Sequence, residues 1–238
     1  MKSNTLSSPN PSLRGRASLV AGLGMVAALA ACAAQPTPQA AWIPESQGWE
    51  VRDAEEADSV TWVAYDRDAP GTDVKEIRVV GLVDSEPEVT MRALRHRLTD
   101  DEYAPEGMEI EVLERSDDEL VTYGLARMPW PLRDREVTER TRFVHDAASG
   151  TFRVEVDNID TNQAVPRGVV RVELVRNVFE VRASEHGGSV LSVSSVHDMG
   201  GAFPNSAIYT PVTDGMVEML FDVRSLASEF EHTASETR

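Results

Sequence analysis

The groups in this sequence with chemistry to offer are five histidines, one cysteine and many carboxylates. The histidines are His96, His145, His186, His197 and His232, and no two stand at the spacing that metal ligands need. There is no HExxH signature and no GxSxG nucleophile elbow. Cys32 has no second cysteine with which to form a disulfide or a CxxC pair. His197 and Asp198 are adjacent and would form an acid–base pair only if both reached one substrate, yet neighbouring strand residues point to opposite faces. The expectation is therefore no catalytic residue, no metal site and no cofactor.

Charge narrows the partners. The chain has 238 residues with 23 Lys and Arg against 40 Asp and Glu, a formal charge of −17, which speaks against a nucleic-acid partner. A hydrophobic content of 41% is enough for a buried core and too much for a solvated acidic tail.

The N-terminal segment stands apart from the fold. Lys2, Arg14 and Arg16 precede an uncharged run from Ala17 to Ala31, the pattern of an export signal. The run is shorter than the roughly 20 apolar residues of a membrane-spanning helix. It ends in Leu29-Ala30-Ala31-Cys32, which resembles the bacterial lipoprotein box. That resemblance implies cleavage before Cys32, lipidation of Cys32 and anchorage in the cell envelope on the periplasmic side. With Ala33 rather than an acidic residue following, it implies the outer membrane. Removing Met1 to Ala31 takes away three positive charges and no negative one, leaving 20 against 40, or −20, a charge that an anionic surface repels. The expected organisation is a signal peptide at 1–31, a tether at 32–40 containing Pro36 and Pro38, one folded domain at 41–231 and a disordered tail at 232–238.

The elements that position any site follow from periodicity. Alternation with a period of two predicts strands at Val60–Tyr65, Val74–Val83, Met108–Glu114, Leu120–Met128, Glu136–Val144, Thr151–Ile159, Val169–Arg182 and Ser189–His197. Asp146–Gly150 and His186–Gly188 read as hairpin loops, so neighbouring strands are antiparallel. Ser85 with Glu88 reads as a capping box and Pro87 as a first-turn proline, opening a helix that runs to Leu98 with Met91 and Leu94 on its apolar face. Val212 to Phe230 carries apolar residues at spacings of three and four, a long amphipathic C-terminal helix. A weaker helix is expected between Pro44 and Ala57. The class is α+β, a curved antiparallel sheet wrapped around the last helix and leaving a cavity. Met216 and Met219 would line that cavity or fill the core.

Two motifs then point to a family. Met128-Pro129-Trp130-Pro131-Leu132-Arg133-Asp134-Arg135-Glu136-Val137 looks like the "PWP, then RD" signature of START lipid-transfer domains, with Glu136 where the family usually has Asp. His197-Asp198-Met199-Gly200-Gly201-Ala202-Phe203-Pro204 resembles that family's D-x-G-G-x-I-P turn into its last helix, although the family's following asparagine has no counterpart near Ile208 and Tyr209. Weaker agreements, among them Trp49, Tyr123 and Gly168-Val169-Val170-Arg171, extend the resemblance from Trp49 to Phe230.

The resemblance implies a helix-grip fold over an apolar cavity that holds one lipid, a sterol, hopanoid, phospholipid or similar ligand, closed by the C-terminal helix. It implies a monomeric, non-enzymatic carrier. The alternatives are a cyclase- or aromatase-like enzyme on a related fold, or an envelope assembly or sensor lipoprotein. Candidate cavity or lid residues are Trp130, Arg171, Glu173, Phe179, Met216, Met219, Leu220 and Val223. Pro129, Pro131, Arg135, Asp198, Gly200, Gly201 and Pro204 have structural roles in the motifs. Trp130, fixed between prolines, is expected to pack into the core, and Arg135 to pair with Glu136. Arg171 and Glu173 share a face of one long strand and form either a buried polar spot or a surface pair, the usual disposition of strand charges favouring the surface.

Overall fold

Alternating valines and isoleucines build most of this chain into one sheet. The computed structural model describes residues 48–54, 61–103, 107–161 and 163–236. The expected signal peptide, Cys32 and the tether lie outside the described residues.

Among the described residues, ten strands and two α-helices follow in the order β1 (Glu50–Ala54), β2 (Trp62–Asp68), β3 (Lys75–Val83), α1 (Pro87–Thr99), β4 (Met108–Arg115), β5 (Glu119–Ala126), β6 (Asp134–Asp146), β7 (Thr151–Asn158), β8 (Val169–Arg171), β9 (Leu174–Ala183), β10 (Ser189–Asp198) and α2 (Tyr209–Glu236). The sheet runs β1-β2-β3-β10-β9-β7-β6-β5-β4 and is antiparallel throughout, apart from β8, which pairs in parallel with the start of β6. Chain neighbours joined by short loops pair directly, while α1 carries the chain from β3 to the far edge strand β4. This is the α+β helix-grip arrangement, a large antiparallel sheet with a long C-terminal helix against one face.

The core lies between that face and the two helices. Met216, Met219, Leu220, Val223, Leu226 and Ala227 of α2 join Met91 and Leu94 of α1 and the inward residues of β3, β7, β9 and β10 in one buried cluster. Helix and sheet meet closely at Gly81, where a Cβ would fall 2.2 Å from Leu220 Cδ2. Arg97 Nε donates to Asp222 Oδ2 at 2.7 Å and ties α1 to α2. Arg224 donates to the Leu82 and Thr61 carbonyls, fastening α2 to β3. Each large apolar side chain so enclosed contributes about 1.5 to 3 kcal/mol.

Four expectations are corrected. Glu50–Ala54 is a strand paired with β2 rather than part of a helix, because its backbone groups find partners along Val63–Asp66. Glu86, not Ser85, precedes α1, and no side chain caps it; Ser85 is buried and its carbonyl accepts the Thr90 hydroxyl. The single strand expected at Val169–Arg182 breaks at Val172–Glu173, where the chain changes partners. Val172 N–H still bonds to Glu136 O, whereas Glu173 N–H turns to Asp198 O. Finally, α2 runs to Glu236, so residues 232–236 are helical rather than tail.

Candidate ligand-binding cavity

The inner face of the sheet is packed solid over β3 and β10, beneath α2, and open over β4 to β7. Val137, Glu139 and Thr141 point inward from β6 because successive strand residues alternate faces, and Glu136, Thr138 and Arg140 point outward. Thr122, Val156, Asn177 and Phe179 face the same space from β5, β7 and β9. Leu98 and Tyr103 close it from the end of α1, and Met108, Ile110 and Val112 form its β4 wall. The cavity measures about 280 Å³, close to the lower end of the range for small-molecule pockets. Ile110 and Val112 are 45% and 42% exposed although they line it, so it opens along the edge strand.

Its most unusual wall group is Glu139. Among the described residues no group hydrogen-bonds or ion-pairs with its carboxyl, and burial pushes that carboxyl above the ordinary carboxylate range. Asn177, another polar wall group, has its Oδ1 engaged, accepting from Ser195 Oγ at 2.7 Å and lying 3.1 Å from His197 Nε2. Burial pushes His197 down to about 4, so its ring is neutral. His197 nevertheless borders only a void of about 10 Å³ beneath Tyr209 and Val212. His145 stacks on Phe152 at the exposed end of β6. No cluster of three metal-ligating side chains occurs among the described residues, and no helix there is long and apolar enough to cross a membrane.

The residues singled out from the sequence separate into three groups. Phe179 lines the cavity. Met216, Met219, Leu220 and Val223 are buried in the core on β3, and the cavity wall is made by other residues. Arg171, Glu173 and Trp130 lie elsewhere. Arg171 reaches Glu136 through Nε at 3.1 Å and Nη2 at 2.8 Å, while Tyr123 donates its hydroxyl to the other Glu136 oxygen at 3.1 Å. Arg171 and Glu173 border a surface depression of about 490 Å³ whose other walls include Val137, Thr138, Asn158 and Val172. Glu136 is therefore paired with Arg171, not with Arg135. Arg135 instead donates to the Met199 and Gly200 carbonyls and lies over the Phe203 ring. Trp130 is 93% exposed, against the expectation of core packing, because its loop turns away from the sheet at Pro129, whose carbonyl accepts Leu132 N–H.

The turn into α2 is built as the motif requires. Gly200 and Gly201 have φ of 71° and 64°, and a Cβ on Gly200 would come within 2.8 Å of Arg171 O. Asp198 accepts Gly200 N–H, and Asn205 accepts Met199 N–H while donating to Asp198. Asn205, directly after Pro204, thus supplies an asparagine for the turn where none was expected, three residues before Ile208. Glu139 was also missed, although its phase with Val137 and Thr141 places it on the inward face.

No family profile and no curated protein sequence matches the chain. Solved structures do. A STAR-related lipid transfer protein fragment from Xanthomonas axonopodis is 19% identical with a TM-score of 0.60, covering 76% of this chain and 99% of its own. Human StAR-related lipid transfer protein 5 is 13% identical with a TM-score of 0.60, covering 78% and 89%. Human STARD10 is 12% identical with a TM-score of 0.58, covering 79% and 76%. At these identities the likeness establishes a shared fold.

Proposed function

We propose that this chain is a lipid-binding carrier that holds one hydrophobic ligand in the cavity between β4–β7, β9 and the end of α1. The observation that supports it best is that cavity itself, walled by Leu98, Met108, Leu120, Val156 and Phe179 and open along β4, in a fold shared with lipid-transfer proteins. Removing apolar ligand surface from water at about 25 cal/mol per Å² gives a lipid reason to enter, provided that the gain exceeds what its membrane offers.

Entry along β4 does not require α2 to lift from β3. Glu139 selects the buried end of the ligand: it accepts from a hydroxyl or other neutral donor and opposes an anionic headgroup. Sterols, hopanoids and neutral long-chain alcohols fit that description better than fatty acids do. Catalysis would need an acid and a base facing one substrate, and Glu139 and His197 border different spaces. The same reading places the protein as a monomer tethered through lipidated Cys32 to the periplasmic side of the envelope, at the outer membrane.

The test is mass spectrometry of an organic extract from the protein purified out of its native envelope. A stoichiometric neutral lipid is the expected result. An empty protein that also excludes fluorescent lipids would overturn the carrier reading in favour of an assembly or sensor role.

A further inference from the structure

The sheet ends at β4, and among the described residues no strand pairs with its outer side. Arg127 N–H donates to Gly107 O between β5 and β4, which fixes the alternation of their ladder. Glu109 and Glu111 therefore bond to β5, while the N–H and C=O of Met108, Ile110 and Val112 point off the edge. Folded chains commonly blunt such an edge with lysine, proline or an inward charge. Met108–Val112 has none of these, and the bulge between Val112 and Glu114 comes only at its far end.

The two faces of this edge differ in chemistry. Ile110 and Val112 present exposed apolar side chains at the cavity mouth, and Glu109, Glu111 and Glu114 stand on the outer face. Glu109 is held by Arg127 at 2.8 Å, whereas among the described residues no cation pairs with Glu111 or Glu114. The neighbouring arginines are engaged elsewhere: Arg140 lies 3.4 Å from Glu119, and Arg115 donates to Thr99 O. Exposed Asp117 and Asp118, in the loop between β4 and β5, add to the negative field. These carboxylates oppose a second copy of the chain, since antiparallel pairing of two β4 strands would set Glu109 and Glu111 against their own kind. The opposite edge of the sheet, β1, carries Glu50 and Asp53, and its Arg52 is bonded to Asp66. Residues 33–47, 55–60 and 104–106 contain no Lys or Arg, so those segments offer no basic strand either.

We infer that the β4 edge, Met108–Val112, accepts an extended segment of another protein by strand addition, and that this segment alternates apolar residues with Lys or Arg. Its backbone pairs with the open groups of Met108, Ile110 and Val112. Its apolar residues continue the wall over Ile110 and Val112, and its cations lie along Glu109, Glu111 and Glu114. Pairing needs only the backbone groups and charges of β4, with or without a ligand in the cavity, so it stands or falls apart from the carrier reading.

The test titrates the full chain with the peptide Lys-Val-Lys-Val-Lys-Val-Lys, blocked at both ends, reading affinity by calorimetry and amide hydrogen exchange by NMR. The amides of Met108, Ile110 and Val112 exchange fast in the free chain and should become protected on binding, and binding should weaken at raised ionic strength. Replacing every lysine of the peptide by glutamate should abolish it. Glu111→Gln and Glu114→Gln together should weaken it about fivefold. Ile110→Pro removes one outward N–H and spares the β4–β5 ladder, so it should bind about fivefold more weakly than Ile110→Ala, which loses the side chain but keeps the donor. Strand addition is overturned by no binding, by binding that leaves those three amides unprotected, or by equal binding of the glutamate peptide. It is equally overturned by an affinity indifferent to both the glutamines and the proline, or by protection that rises with protein concentration alone, which would make a second copy the occupant.

Discussion

Replacing Glu139 by Gln should make the protein more stable near neutral pH and less selective at its cavity. Glutamine keeps the shape of the side chain and removes its charge. In the native protein burial raises the folded carboxyl above its unfolded value, with no partner to offset it. The folded state therefore holds a proton to higher pH than the unfolded chain does. Stability of the parent falls as pH rises through the window between the two values and is flat above it. The variant has no such window. The difference between them is near zero below the unfolded carboxylate pKa and grows to a plateau above the folded one. An unpaired buried charge that the cavity partly hydrates costs about 1 to 3 kcal/mol, and each kcal/mol moves the midpoint by about 2 to 4 °C in a domain of this size. Urea denaturation of both proteins from acid to mildly alkaline pH measures the difference directly. A variant less stable than the parent at neutral pH, or a difference that does not change with pH, would refute the assignment of Glu139 as a destabilising group kept for its ligand. The functional arm follows: a long-chain fatty acid should gain about tenfold in affinity on Glu139→Gln as carboxylate repulsion is lost, while an alcohol of equal length gains nothing.

Other consequences are simpler to state. Leu220→Ala, which empties a position 1% exposed against Gly81, should cost about 3 to 5 kcal/mol in urea denaturation, whereas Phe221→Ala next to it, 46% exposed, should cost under about 1 kcal/mol. Arg171→Met leaves the Glu136 carboxylate buried with only Tyr123 and should lose about 3 to 5 kcal/mol. The double variant Glu136→Met/Arg171→Met should recover most of that, a double-mutant cycle being the measurement. His197 is pushed down from 6.5 to about 4, so the unfolded chain takes up its proton first as pH falls. Stability should accordingly be lost between those two values, by at most about 3 kcal/mol, and His197→Gln should flatten that limb of the pH profile. Asn205→Ala, removing the bonds to Met199 and Asp198, should cost about 1 to 2 kcal/mol and show as faster amide exchange at the Gly200–Gly201 turn.

Most strand positions and both described helices were legible because their signals are local, a period of two or of three and four with hairpin glycines between; β1 was not, because Glu50–Ala54 is defined as a strand only by its pairing with β2. The break at Val172–Glu173 was not legible, because nothing in the valine-rich run Val169–Val175 marks where the chain exchanges one partner strand for another. Arg171 and Glu173 nevertheless border one surface depression, the surface disposition that strand charges favour. Trp130 misled for another reason. Size and hydrophobicity argue for burial wherever the backbone permits it, but the loop between β5 and β6 leaves the sheet at its rim, where there is no facing layer to receive a ring.

The site itself was hidden in a strand that had been placed correctly. Glu139 stands beside the outward residues Arg140 and Arg142, and only its phase with Val137 and Thr141 distinguishes it. A carboxylate on the apolar face of a strand is costly in an empty protein. Its place in a wall that mixes Leu98, Met108 and Phe179 with Thr122, Thr141 and Asn177 is the argument that the cavity is shaped for a ligand whose polar end meets it, and that the residues packed beneath α2 are there to hold the wall still.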